Sequence, residues 1–125
     1  MSSVTRFSGH IPKGWGYEYI FATNDLYCGK ILHFNKVGNK FSMHFHHKKD
    51  ETWYVQKGLF TLKLINTENG SITEQTLRTG DSIRIMPLQV HQLIALEDDS
   101  EIIEVSTADS AEDNFRVMPG DNQNG

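Results

Sequence analysis

From Leu59 to Ile65 the chain alternates, with Phe60, Leu62 and Leu64 on one side and Leu59, Thr61 and Lys63 on the other. That period of two is the mark of a strand with one buried face. The same reading predicts strands near Tyr17 to Phe21, Leu26 to Asn35, Phe41 to His47, Thr52 to Gln56, Ser71 to Leu77, Ser82 to Met86, His91 to Leu96 and Glu101 to Ser106. Between them lie turn-forming stretches: Asn24-Asp25, Val37-Gly38-Asn39, Asn66 to Gly70, Thr79-Gly80-Asp81 and Glu97-Asp98-Asp99. No stretch carries a convincing helical period. About nine or ten short strands, with a turn every eight to twelve residues or so, predict an all-β sandwich or barrel of jelly-roll type.

Domain boundaries follow from the same pattern. Residues 1–16, with Pro12, Gly14 and Gly16 around Trp15, read as an irregular N-terminal arm. Residues 17–107 form the β-barrel domain, and 108–125 a polar C-terminal tail that is extended and partly disordered. At 125 residues the chain is one domain, able to bury about two thirds of its unfolded surface. A core of that size stands without a disulfide or a structural metal. Cys28 has no internal partner, in keeping with a reducing, cytoplasmic setting. No apolar run approaches a membrane span, and the polar opening does not read as a signal peptide. A net charge of −4 without a basic stripe argues against nucleic acid.

The candidate chemistry lies between Gly38 and Gly58. On one strand His44 and His46, two residues apart, present their imidazoles to the same face, and Glu51 follows after a gap of four charged and polar residues. Two histidines and a carboxylate converging on one point suggest a metal site. His91 can complete a set of four if the two hairpins face each other inside a barrel. By the same alternation Phe41, Met43 and Phe45 lie opposite Ser42, His44 and His46. His47, Lys48 and Lys49 read as a solvated turn outside the site. Trp53 shares the Glu51 face and is a candidate pocket wall. His33 is a candidate for the pocket on a strand whose phase the pattern leaves open.

The spacing Gly38-x5-His44-x-His46-x4-Glu51-x6-Gly58 is similar, position for position, to the first motif of the cupin family, and Gly80 to His91 resembles the second. The second motif departs from the family's pattern, with Met86 for the common proline, Leu88 for a glycine and Ala95 where an asparagine often follows. The resemblance implies a small β-barrel holding a divalent metal (Mn, Fe, Ni, Zn or Co) through His44, His46, Glu51 and His91. Trp15-Gly16-Tyr17-Glu18, Ser42 to His46, Glu51-Thr52-Trp53 and Glu104 to Thr107 also resemble the mannose-6-phosphate isomerase-like group. That likeness implies a small-molecule ligand such as a sugar or sugar phosphate, with aldose–ketose isomerisation as the first expectation. A dioxygenase using Fe(II) and a non-catalytic ligand-binding barrel are the alternatives. No residue of the sequence stands out as the general base that isomerisation requires. Exposed sheet edges lead to the expectation of a homodimer, with the arm around Trp15 reaching the partner.

Overall fold

The computed structural model describes residues 3–4 and 9–121. Residues 1–2 and 5–8 of the expected arm and 122–125 of the expected tail lie outside the described residues. Eleven strands run in chain order: β1 (Gly9–Lys13), β2 (Gly16–Thr23), β3 (Tyr27–Phe34), β4 (Met43–Phe45), β5 (Glu51–Lys57), β6 (Leu59–Ile65), β7 (Ile72–Arg78), β8 (Ser82–Ile85), β9 (Val90–Ala95), β10 (Ser100–Thr107) and β11 (Phe115–Met118). They form a six-stranded sheet in the order β1-β2-β3-β10-β5-β8 and a five-stranded sheet in the order β11-β4-β9-β6-β7. Every pairing is antiparallel, which makes the fold an all-β jelly roll. Among the described residues no helix is long and apolar enough to cross a membrane.

Two segments depart from the reading of the sequence. Residues 9–13, expected as part of an irregular arm, pair as β1 along β2, with Gly9 opposite Ile20 and Lys13 opposite Gly16. Trp15 does not project toward a partner. It is buried in this chain's own core, stacked on Phe34 at 4.7 Å and edge-on to Phe41 at 6.2 Å. In the polar tail, Phe115, Arg116 and Met118 pair with β4 as strand β11. All four residues of β11 are exposed, so the strand has no buried apolar face and the alternation test passes over it.

The inner faces of the two sheets enclose a core that includes Phe34, Trp53, Val55, Phe60, Leu62, Leu93 and Ile102. Along β10 the alternation places Ser100, Ile102, Glu104 and Ser106 inward. Along β5 it places Glu51, Trp53 and Val55 inward. Both strands therefore carry apolar side chains into one end of the barrel and acidic ones into the other. The expected opposition of Phe41 to His44 fails because β4 begins only at Met43. Ahead of it Phe41 lies outside the paired strand, and its ring turns inward to lie 5.1 Å from the His44 ring.

The turn glycines are set by geometry. Gly58, between β5 and β6, has a φ of 85°, and a Cβ there would lie 2.1 Å from Ser100 Oγ. Ser100 is fully buried and its hydroxyl donates to the Glu97 carbonyl at 2.9 Å, so it has little room to yield. Gly58→Ala is expected to cost about 1–2 kcal/mol in the left-handed backbone, with the overlap added, and to lower the melting temperature by several degrees. Leu88 takes a φ of 70° in the loop before β9, where the cupin pattern has glycine. The loop keeps this conformation without the glycine, and the Leu88 N–H donates to the His46 carbonyl at 2.7 Å.

Candidate metal centre and the cavity around it

His44 on β4 and His91 on β9 are direct partners in the sheet register. Cross-strand partners share a face, so both rings enter the barrel with their centroids 4.5 Å apart. His46, just past the end of β4, brings its ring to 4.9 Å from His44 and 5.7 Å from His91. Ligating nitrogens of the three lie within 4.8 Å of one another, close enough to hold a metal ion. Glu51, at the start of β5 on the facing sheet, places Oε2 3.5 Å from His46 Nε2 and Oε1 3.8 Å from His91 Nε2.

The tautomer of each ring is fixed by what Nδ1 touches. His44 Nδ1 donates to the Ser42 carbonyl at 2.6 Å, His46 Nδ1 to the Asp113 carbonyl at 2.6 Å and His91 Nδ1 to the Gln89 carbonyl at 2.7 Å. A carbonyl only accepts, so Nδ1 carries the proton and the lone pair sits on Nε2. Backbone carbonyls in this position orient metal-binding imidazoles in the same way. Burial, first of all, holds each of the three histidines below the ordinary imidazole value, His91 down to about 3. Neutral imidazole is the form that ligates. His91 Nε2 and Glu51 Oε2 are buried and make no hydrogen bond among the described residues. The open His91 Nε2, beside the other two imidazoles, fits a cation there, whereas Glu51 Oε2 already lies 3.4 Å from Lys49 Nζ.

His44 and His46 line one wall of a cavity of about 570 Å³, and His91 is buried beside them. Trp53 lines it as expected, with its ring 5.4 Å from His91 and Nε1 donating to Glu104 Oε1 at 3.3 Å. His33 does not. On β3 it alternates with Lys30, Leu32 and Phe34, which point inward, so its ring lies on the outer face. There it stacks on Tyr17 at 4.8 Å, with Nε2 3.1 Å from Asp99 and Nδ1 3.2 Å from Glu101.

Lys49 is the larger surprise. Expected in a solvated turn with His47 and Lys48, it is only 5% exposed, while the other two lie on the surface. Its Nζ lies 2.9 Å from Glu104, 3.4 Å from Glu51 and 3.5 Å from Asp109. Lys30, also buried, lies 2.8 Å from Glu18 and 2.7 Å from Asp109. Burial disfavours both ammonium groups, but the carboxylates outweigh it and raise both above the ordinary lysine value. Burial likewise opposes the charge on Glu104, yet Lys49 and Lys30 hold it below its usual value. Burial pushes Glu51 upward and Glu104 adds to the shift. The signal for Lys49 was present in the chain. It sits two residues before Glu51 and four before Trp53, in the same inward phase.

Asp113 ties the segment before β11 to this loop. Its carboxylate accepts from the backbone N–H groups of His47 at 2.7 Å, Lys48 at 3.1 Å and Lys49 at 2.9 Å, while its carbonyl holds His46. Asp113→Ala is expected to free the loop carrying His46 and Lys49 and to weaken metal binding about tenfold. Calorimetric metal titration checks this.

An antiparallel jelly roll with a histidine cluster in its interior is the class that fold and site define. Residues 31–105 match the cupin domain, and the chain belongs to that family. No curated protein matches it. Among solved structures, KdgF from Halomonas sp. is similar at a TM-score of 0.65 and 22% identity, over 87% of each chain. Oxalate decarboxylase from Bacillus subtilis is similar at 0.76 and 20%, over 94% of this chain and 33% of its own. The capsular polysaccharide assembling protein CapF from Staphylococcus aureus is similar at 0.73 and 16%, over 87% of this chain and 32% of its own. This chain thus spans about a third of the last two.

Proposed function

We propose that this cupin holds a divalent metal through His44, His46, Glu51 and His91 and interconverts aldose and ketose forms of a small sugar or sugar phosphate. The observation that carries the reading is the buried Lys49–Glu104 pair in the same cavity, 2.9 Å apart and beside the histidine cluster. A divalent ion at this site supplies a Lewis acid toward a carbonyl or two vicinal oxygens.

Isomerisation moves a proton between neighbouring carbons, so it needs a group that takes the proton and returns it. Glu104 fills the role that no residue filled in the sequence. It is buried, kept ionised by Lys49 and Lys30, and held in orientation by the Trp53 indole N–H. Glu104 takes the proton from one carbon and returns it to its neighbour, while Lys49, an ammonium in these surroundings, donates a hydrogen bond toward the developing oxygen charge. Both side chains are buried, which limits water around them and keeps these charges strong.

The test is solvent exchange. Metal-loaded protein incubated with aldoses and ketoses in D2O is expected to place deuterium on the carbon next to the carbonyl as the sugars interconvert. Glu104→Gln is expected to bind metal normally and to lose that exchange by about 100-fold or more. Oxygen consumption on an organic substrate, with no deuterium uptake from any sugar, would overturn the isomerase in favour of a dioxygenase.

A further inference from the structure

The charges of the cavity wall are arranged in matched pairs. Lys30 sits between Glu18 and Asp109, at 2.8 and 2.7 Å, and Lys49 sits against Glu104 at 2.9 Å. Asp109 spans the two lysines, since its other oxygen lies 3.5 Å from Lys49. At the rim, Lys13 lies 3.5 Å from Glu18. Away from the histidine cluster, to which Glu51 belongs, the two buried lysines are matched by Glu18, Glu104 and Asp109, and Lys13 and Arg116 also line the cavity.

A site built for a phosphate group shows cationic or N–H donors in excess, aimed at one point. Here each buried ammonium is already engaged by carboxylates, and an entering phosphate would meet Asp109 and Glu104 as it approached them. Hydroxyl groups have the opposite property, because each both donates and accepts. A chain of hydroxyls can therefore bridge ammonium and carboxylate in turn without disturbing either. The wall also has an apolar part, with Ile11, Trp15, Ile20 and Leu32, and it suits the C–H face of such a molecule. At about 570 Å³ the cavity falls within the range of small-molecule sites.

We infer that the cavity takes an uncharged polyhydroxylated molecule, a free sugar or sugar alcohol, in preference to its phosphate ester. This deepens the isomerase reading of the same site and rests on it. Matched pairs test it by calorimetry on the full chain: mannose against mannose 6-phosphate, fructose against fructose 6-phosphate, and mannitol against mannitol 1-phosphate. The uncharged member of at least one pair is expected to bind about tenfold more tightly than its ester, a difference of about 1.4 kcal/mol. Asp109→Asn is expected to narrow that ratio by improving the ester's binding. Equal or tighter binding of the ester in every pair overturns the inference while leaving a sugar isomerase intact. If no member of any pair binds or is interconverted, the isomerase reading fails and this inference fails with it.

Discussion

His91→Ala is expected to abolish the rise in melting temperature that a divalent metal gives the native protein. At a metal concentration 100 times its dissociation constant, that rise corresponds to about 2.7 kcal/mol. Affinity in the variant is expected to fall by more than about 100-fold, beyond the loss seen when only a residue supporting a ligand is removed. The metal-free barrel should change little. Removing the imbedded ring leaves a cavity, but it also removes a buried Nε2 with no hydrogen bond, an orphan that costs about 1–3 kcal/mol. Thermal melts with and without Mn, Fe, Co, Ni and Zn measure both parts, and an undiminished metal response in the variant would sink the site.

Acid separates the two proteins further. Burial holds His91 at about 3 against its ordinary 6.5, so between these values the unfolded chain binds a proton that the folded chain refuses. Stability of the metal-free native protein therefore falls as pH drops below 6.5. His91→Ala lacks that contribution and should gain on the native protein across the window. The comparison needs only melts of the two proteins at several pH values.

Lys49→Met is expected to be the most destabilising of the single changes, by about 3–5 kcal/mol at neutral pH, because it strips a buried network of its central cation. Glu104, Glu51 and Asp109 would then face one another with only Lys30 to balance them. Lys49→Arg keeps the charge but needs more room, and it should recover part of the loss. Asp109, held at about 2 by Lys49 and Lys30 against burial, adds a pH signature. Its paired carboxylate contributes stability above the ordinary value of 3.8, and the native protein loses that contribution as pH falls toward 2. The deficit of Lys49→Met should therefore shrink in acid. Urea melts at neutral and acid pH decide it, and equal stability of the two proteins at neutral pH would refute the buried-network account.

The strands with one apolar face were legible because burial leaves a period of two in the sequence, as at Leu59 to Ile65. β1 and β11 were not, since edge strands carry few buried side chains and their pairing is a property of the backbone. The histidines and Glu51 could be read because motif spacing and strand parity both bear on them. Lys49 shows the limit of local composition: a run of charged residues reads as solvent-exposed, and although the parity of Lys49 with Glu51 and Trp53 points inward, only partners distant in sequence account for its burial. Glu104 is 55 residues beyond Lys49, Lys30 is 19 before it and Asp109 is 60 after it.

By itself the sequence determined the alternation, the turns and the two motif stretches, hence an all-β jelly roll with His44, His46, Glu51 and His91 as its candidate chemistry. The tertiary structure decided which ionisable groups meet. It turned His33 outward, drew Lys49 in and set Glu104 beside it. The reason is physical: a buried charge is tolerated only where opposite charges surround it. In this chain those charges come from β2, β3, β5, β10 and the segment before β11, which only folding brings together.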